Sequence, residues 1–150
     1  MLRVENSVVI NQPIEEVFAF VSKAENDPLW QAQIQEARTT SDGPFGVGSR
    51  TAQKAHFLGR GIDTVGEITE YEQNRIIAWK SISGAISGEG QSIFEVTGDG
   101  QTKYTIIADF DIGGFFKLAE PIVARSARRQ TEANLANLKD ILEAETDKGE

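Results

Sequence analysis

The order of its predicted elements constrains this chain more than any single motif. An alternating segment comes first, followed by a short helical stretch and then by a run of about six strand-like segments. One long helix, from about Glu120 to Glu145, completes the order. A curved antiparallel sheet that is closed by a single helix leaves a space between the two. The sequence therefore predicts an α+β domain with a ligand pocket.

The N-terminal region predicts one strand and two short helices. Leu2, Val4, Val8 and Ile10 share one face of a period-two segment, as in a half-buried strand. Pro13 is typical of a helix start, and this helix runs to about Ser22. The sequence at 26–28, Asn-Asp-Pro, interrupts the helical pattern, and Leu29 with Trp30 indicates a second helical turn.

Turn-forming residues divide the middle of the chain into short strands. The predicted strands are near Gln35–Thr40, Ser49–Leu58, Ile62–Glu72, Arg75–Ser83, Gly90–Thr97 and Gln101–Ile112. Residues 98–100, Gly-Asp-Gly, form the clearest hairpin turn, and residues 84–88 are interpreted as a hairpin or a flexible loop. Strands joined this tightly are antiparallel, so the sheet has about seven strands.

Length, charge and composition limit the possible functions. A chain of 150 residues suits one domain, here residues 1–145 with a loose tail at 146–150. The net charge of -8 would repel nucleic acids and anionic membranes. With no cysteine and one histidine, neither a metal nor another cofactor is expected. No apolar run is long enough to span a membrane, so we expect a cytoplasmic protein. The sequence does not distinguish a monomer from a homodimer.

The last helix offers an unusual inward face. Its predicted inward residues are Phe116, Ala119, Val123, Ala127, Gln130, Asn134, Leu138 and Ile141. Small and amide side chains at Ala127, Gln130 and Asn134 leave room and hydrogen-bonding groups where a packed core favours Leu or Ile. The alternative is that Gln130 and Asn134 lie at the flank of the helix. Residues 113–118, with Phe115 and Phe116, are predicted to form a separate turn or entrance flap.

Alternation in the strands predicts an aromatic lining for the pocket. Inward positions are Ile77, Trp79, Phe94, Val96, Tyr104, Ile106, Ala108 and Phe110. Each of these residues would also suit an ordinary packed core. The set as a whole predicts ligand-binding residues.

Candidates for catalysis are few. His56 and Glu67 could supply an acid or base if their side chains faced the pocket. The alternation around Lys54 instead favours a surface position for His56. The residue types alone therefore assign no catalytic group.

Four segments carry a resemblance to a known family: VVINQPIEEVFAFVSKAENDPLWQ, GEITEYEQNRIIAWKS, GDGQTKYTIIADFDI and ARRQTEANLANLKDILEAE. The chain resembles the START-like helix-grip superfamily (SRPBCC), in particular its bacterial polyketide cyclase/dehydrase and lipid-transport group. The resemblance implies a seven-stranded antiparallel sheet gripping a C-terminal helix, with two short helices after the first strand. Members of that superfamily bind lipids, sterols, polyketides or hormones, and a minority catalyse cyclisation or dehydration.

Three functional hypotheses follow from the residues and the resemblance. In the first, the domain binds a small hydrophobic molecule through Trp79, Phe94, Tyr104 and Phe110, with Gln130 or Asn134 at the polar end of the ligand. In the second, a polyketide cyclase/dehydrase-type enzyme acts in the same pocket. In the third, an accessory protein uses the Phe115–Phe116 turn to dock a partner or a membrane.

Overall fold

The computed structural model describes residues 2–57, 59–84, 86–111 and 119–148, with side chains to residue 144. Its elements are β1 Leu2–Ile10, α1 Ile14–Val21, a 3-10 turn Ala24–Asn26, α2 Asp27–Trp30, β2 Ile34–Thr39, β3 Arg50–Phe57, β4 Arg60–Glu72, β5 Ile76–Gly84, β6 Ser87–Gly98, β7 Gln101–Asp111 and α3 Glu120–Lys148. The predicted order, with two short helices after the first strand and one long helix at the end, is confirmed.

All strands belong to one antiparallel sheet with the order β1-β7-β6-β5-β4-β3-β2. Each strand from β2 to β7 pairs with its neighbour in sequence, and β1 closes the order by pairing with β7. Register shifts in the β2–β3 and β4–β5 pairs are bulges, which bend a strand and increase its twist. The sheet curls around α3, which confirms the helix-grip architecture.

The two short helices cover one end of the sheet. In α1, Val17 and Phe18 are buried, and the side-chain amide of Asn26 donates a hydrogen bond to the Phe20 carbonyl oxygen at 3.0 Å. That bond fixes the turn between α1 and α2 and brings Trp30 into the core. Asp27 begins α2, so its side chain is carried to the same end of the sheet.

Three sequence predictions about local structure need correction. β6 begins at Ser87, earlier than the predicted start near Gly90, because residues 87–89 pair with β7. The Gly88 amide also donates a hydrogen bond to Ser81 Oγ at 2.8 Å, which holds this stretch to β5. Val96 is 66% exposed rather than part of the pocket wall. It keeps its regular register opposite Thr102, but it lies near the end of β6, past the last buried residue of this strand, Phe94. The last helix continues to Lys148, beyond the expected end at Glu145.

The buried apolar residues form two clusters. The larger one joins α1, α2, the sheet and the C-terminal half of α3, and contains Phe18, Trp30, Phe94, Tyr104 and Leu138. The smaller one joins the start of β1 to the start of α3, through Leu2, Val4, Val123 and Ala124. Between the two clusters, side chains do not fill the space that separates the inner face of the sheet from α3.

Candidate functional site

A cavity of about 330 Å³ lies between the inner face of the sheet and α3. Its α3 wall runs from Val123 to Leu135, a rise of about 18 Å along the helix axis. The rest of the wall comes from inward residues of β1, β3, β4, β5, β6 and β7 and from the segment around α2. The structure therefore places a cavity where the sequence predicted a pocket.

Most of the predicted ligand-binding residues line this cavity. Those in its wall are Trp79, Tyr104, Ile106, Phe110, Val123, Ala127, Gln130 and Asn134. Phe94 is only 2% exposed and lies in the packed core instead, with its ring centroid 5.0 Å from that of Phe18. Phe116, together with the expected flap at 113–118, lies outside the described residues.

Two glycines of β6 make room for the aromatic side chains of the wall. A Cβ atom added at Gly90 would lie 2.7 Å from Trp79 Cζ2, and one at Gly88 would lie 2.6 Å from Phe110 Cδ1. The rings of Trp79 and Phe110 extend toward β6 from the strands on either side, with centroids 6.2 Å apart. The two rings are tilted by 41° to each other, and they cover β6 here because that strand has no side chain at these positions.

A cluster of amides forms the end of the cavity nearest Asn134. The Asn134 side-chain oxygen accepts hydrogen bonds from the Ala32 amide at 3.1 Å and from Gln130 Nε2 at 3.2 Å. Its Nδ2 donates to Gln33 Oε1 at 2.8 Å. Asn134 is buried, so these bonds satisfy its polar atoms and fix α3 to the segment between α2 and β2. The amide side chains of Gln33 and Gln130 are therefore held in place in the wall.

Asp27 is the most unusual side chain of the wall. It is partly buried and lines the cavity, and Gln53 Nε2 donates a hydrogen bond to its Oδ2 at 3.2 Å. Burial raises the pKa of Asp27 from 3.8 to about 7, the bond from Gln53 opposes that rise, and the charge of Glu25 adds to it. Near neutral pH this carboxyl can therefore either donate or accept a proton, as catalytic and ligand-binding acids do.

Tyr104 and Ser92 add a buried pair of hydroxyls beside the aromatic wall. Their oxygens are 2.7 Å apart and share a hydrogen bond, and burial raises the pKa of Tyr104 well above its ordinary value. The phenol is therefore neutral. Trp30 stacks edge-on against Tyr104 with centroids 6.1 Å apart, and its indole Nε1 is buried with no hydrogen-bond acceptor among the described residues.

The two catalytic candidates from the sequence lie on the outer face of the sheet. His56 is exposed, and its Nδ1 lies 3.4 Å from Gln35 Nε2. Glu67 faces Arg50, with 3.8 Å between its carboxylate and the guanidinium. Neither lines the cavity, because the inward positions of β3 and β4 are the alternate ones, which include Gln53 and Thr64.

Sequence reasoning missed Asp27 and Gln53 as candidate site residues. The Asn-Asp-Pro sequence at 26–28 indicates only a helix break, and nothing in one sequence shows that its aspartate turns inward. Gln53 had a usable signal, since it shares a strand face with Ala55 and Phe57, opposite Lys54. If the strand face opposite Lys54 is taken as the inner face, Gln53 is identified as a residue that faces the pocket.

Comparisons with known proteins agree with this geometry. A sequence profile for the family described as polyketide cyclase / dehydrase and lipid transport matches residues 1–143. The chain belongs to that family. A comparison with curated proteins found no match.

Solved structures show the same fold at low sequence identity. The protein TTHA0849 from Thermus thermophilus is 18% identical, with a TM-score of 0.82 over 95% of this chain and 97% of that one. The Zhui aromatase/cyclase from Streptomyces sp. R1128 is 13% identical, with a TM-score of 0.78 over 94% and 93%. A START superfamily protein from Mycobacterium smegmatis is 17% identical, with a TM-score of 0.76 over 96% and 99%.

The described residues contain neither a membrane-spanning helix nor a cluster of metal-binding side chains. In that part of the chain, no helix has the length and hydropathy needed to cross a membrane. No group of three or more His, Cys, Asp or Glu side chains is arranged there to hold a metal ion.

Proposed function

We propose that this protein binds one small, largely apolar molecule non-covalently in the cavity between the sheet and α3. The observation that carries this proposal is the cavity of about 330 Å³, whose size falls in the range of small-molecule sites. Its wall combines aromatic and aliphatic side chains with amide, hydroxyl and carboxyl groups. Burial of apolar ligand surface, at about 25 cal/mol per Å², would supply most of the affinity.

The wall suggests how the ligand would be oriented. Trp79 and Phe110 would hold its apolar body, since their rings form an aromatic surface over Gly88 and Gly90. Its polar end would face the amides, where Gln130 binds Asn134 through Nε2 and keeps its side-chain oxygen as an acceptor. Asn134 itself would act by positioning, because both ends of its amide already have partners.

The comparisons support the same chemical class of ligand. The family description names polyketide cyclases, dehydrases and lipid transport, and structural neighbours include an aromatase/cyclase. All of these functions require a protein to enclose a mostly apolar molecule. The proposal for this chain is therefore a lipid-like or polyketide-like ligand.

Native mass spectrometry tests this proposal. The protein would be purified from its own host and weighed without denaturation, and any bound molecule would then be released and identified. We expect a stoichiometric mass increment from an apolar small molecule. A protein that is recovered empty, and that stays empty after incubation with long-chain alcohols, sterols and aromatic polyketides, would contradict the proposal.

A second candidate function is dehydration of a bound polyketide-like substrate, and Asp27 is the observation that favours it. The carboxylate would take a proton from the carbon between a carbonyl and a hydroxyl-bearing carbon. The same carboxyl would then return that proton to the departing hydroxyl, which leaves as water. A pKa of about 7 suits both steps.

This second candidate is tested with a β-hydroxy ketone. Wild-type protein should form the conjugated enone, which is followed by its ultraviolet absorbance, and Asp27→Asn should abolish that rate. Equal rates for wild type, Asp27→Asn and buffer would exclude the reaction.

A further inference from the structure

Asp27 is isolated among the side chains of the cavity wall. Among the described residues that line the cavity, Asp27 alone carries a formal charge at neutral pH when ionised, and no lysine, arginine or histidine lines it. The other polar groups of the described wall are amides, hydroxyls and the indole N–H of Trp30. Among the described residues, an ionised ligand would therefore find one negative charge and no positive charge.

The described residues supply Asp27 with a hydrogen bond but no counter-ion. Its partner is Gln53 Nε2 at 3.2 Å, and no ion pair to it forms within the described parts of the chain. Glu25, in the preceding turn, adds repulsion. Tyr104, on β7, is neutral at this pH because burial raises its pKa. A partly buried carboxylate without a cation is unfavourable.

We propose that the ligand of this cavity carries a basic nitrogen, which binds to Asp27 as an ammonium group. This proposal rests on the proposed function and names the polar end of the ligand. An ammonium would supply the missing counter-charge and donate hydrogen bonds to the carboxylate, while its remaining N–H groups could donate hydrogen bonds to amide oxygens of the wall. A carboxylate or phosphate headgroup would be repelled by Asp27 and would find no cation among the described lining residues.

Three ligands with ten carbon atoms and different polar groups test the proposal: decylamine, decanol and decanoic acid. Their binding to the full-length protein is measured by titration calorimetry at pH 8, where Asp27 is mostly ionised and the alkylamine is an ammonium. We expect decylamine to bind about tenfold more tightly than decanol, and decanoate to bind more weakly than decanol.

Two variants test whether Asp27 is the group that favours decylamine over decanol. In Asp27→Asn the ratio of decylamine to decanol affinity should fall by about tenfold. Glu36→Gln removes one negative charge from an exposed position on β2, where Glu36 lies 4.0 Å from Lys54 Nζ. This control should keep the wild-type ratio, since Glu36 does not line the cavity.

A second measurement needs no variant. In the wild-type protein the decylamine to decanol ratio should rise between pH 5.5 and pH 8, because Asp27 ionises in this interval while the amine stays charged. A ratio that is the same at both pH values, a decanoate affinity equal to that of decylamine, or an unchanged ratio in Asp27→Asn would overturn the proposal. If none of the three ligands binds, the proposed function fails and this inference fails with it.

Discussion

Gly90 on β6 lies directly beneath the indole ring of Trp79 on β5. A Cβ atom at residue 90 would come within 2.7 Å of Trp79 Cζ2 and 2.8 Å of the Ile107 carbonyl oxygen. Ordinary contacts between carbon atoms are near 3.5–4.0 Å, so any other residue here would displace the ring or the strand. The absence of one side chain on β6 thus determines where an aromatic side chain of β5 can lie.

Gly90→Ala should therefore destabilise the fold and weaken ligand binding. The added methyl group meets backbone as well as side-chain atoms, and we expect a loss of about 1–3 kcal/mol in the free energy of unfolding, as for other overpacked sites. Urea denaturation measures this loss. Gly46→Ala is the matched control, because a Cβ atom there meets nothing within 4 Å. Equal stability of the two variants would show that Trp79 moves freely away from β6.

Asn134→Ala should loosen the attachment of α3 to the segment between α2 and β2. The substitution leaves the Ala32 amide and the Gln33 side chain without their partner, and we expect a loss of about 2 kcal/mol in the free energy of unfolding. Asn137→Ala removes only a long bond of 3.4 Å to the Trp30 carbonyl oxygen from an exposed residue. This control should change stability by less than about 0.5 kcal/mol.

The Ser92–Tyr104 hydrogen bond should give a measurable coupling energy. Tyr104→Phe leaves the buried Ser92 hydroxyl without its partner, and each single variant, including Ser92→Ala, should lose about 1–2 kcal/mol in the free energy of unfolding. The double variant should lose less than the sum of the two. Strict additivity in urea denaturation would contradict the pairing.

Stability should depend on pH through Asp27. Its native pKa of about 7 exceeds the ordinary value of 3.8, so the folded protein binds this proton more tightly than the unfolded chain does. The stability that this bound proton contributes to the fold is fully present below about pH 4 and is lost as the pH rises through 7. Asp27→Asn should therefore have the same free energy of unfolding as the wild type near pH 4. At pH 8 its free energy of unfolding should be higher than that of the wild type by about 3 kcal/mol. A difference that is constant from pH 4 to pH 8 would mean that Asp27 is not desolvated.

The fold could be predicted because its signals are local and repeated. The alternation in β1 and β7, the proline before α1 and the long amphipathic α3 each point to one element. The hairpin order of the strands then leaves few ways to pair them. Where the prediction was wrong, at Ser87–Gly90 and at Val96, the local pattern gave no sign of pairing with a distant strand or of where burial ends along β6.

The cavity could be predicted only in part. Tyr104, Ile106 and Phe110 follow from strand alternation, and Ala127 follows from the periodicity of α3. Phe94 lies at an inward position like these residues, yet it packs against Phe18 in the core. Strand alternation identifies an inward residue, but it does not show whether that residue is packed in the core or lines a cavity. Asp27 depends on how α2 folds back over the sheet, so its position required the three-dimensional structure.

The central claim is that a ligand binds between the sheet and α3. It is tested most directly by titrating a neutral apolar fluorophore, N-phenyl-1-naphthylamine, into the wild type, a variant with a filled cavity and a control variant. Ala127→Phe places a ring in the α3 wall of the cavity, whereas Ala136→Phe adds the same ring to an exposed face of α3. The account predicts saturable one-to-one binding by the wild type and by Ala136→Phe, and at least about tenfold weaker binding by folded Ala127→Phe. Equal binding by all three proteins, or no binding by the wild type, would contradict a ligand site between the sheet and α3.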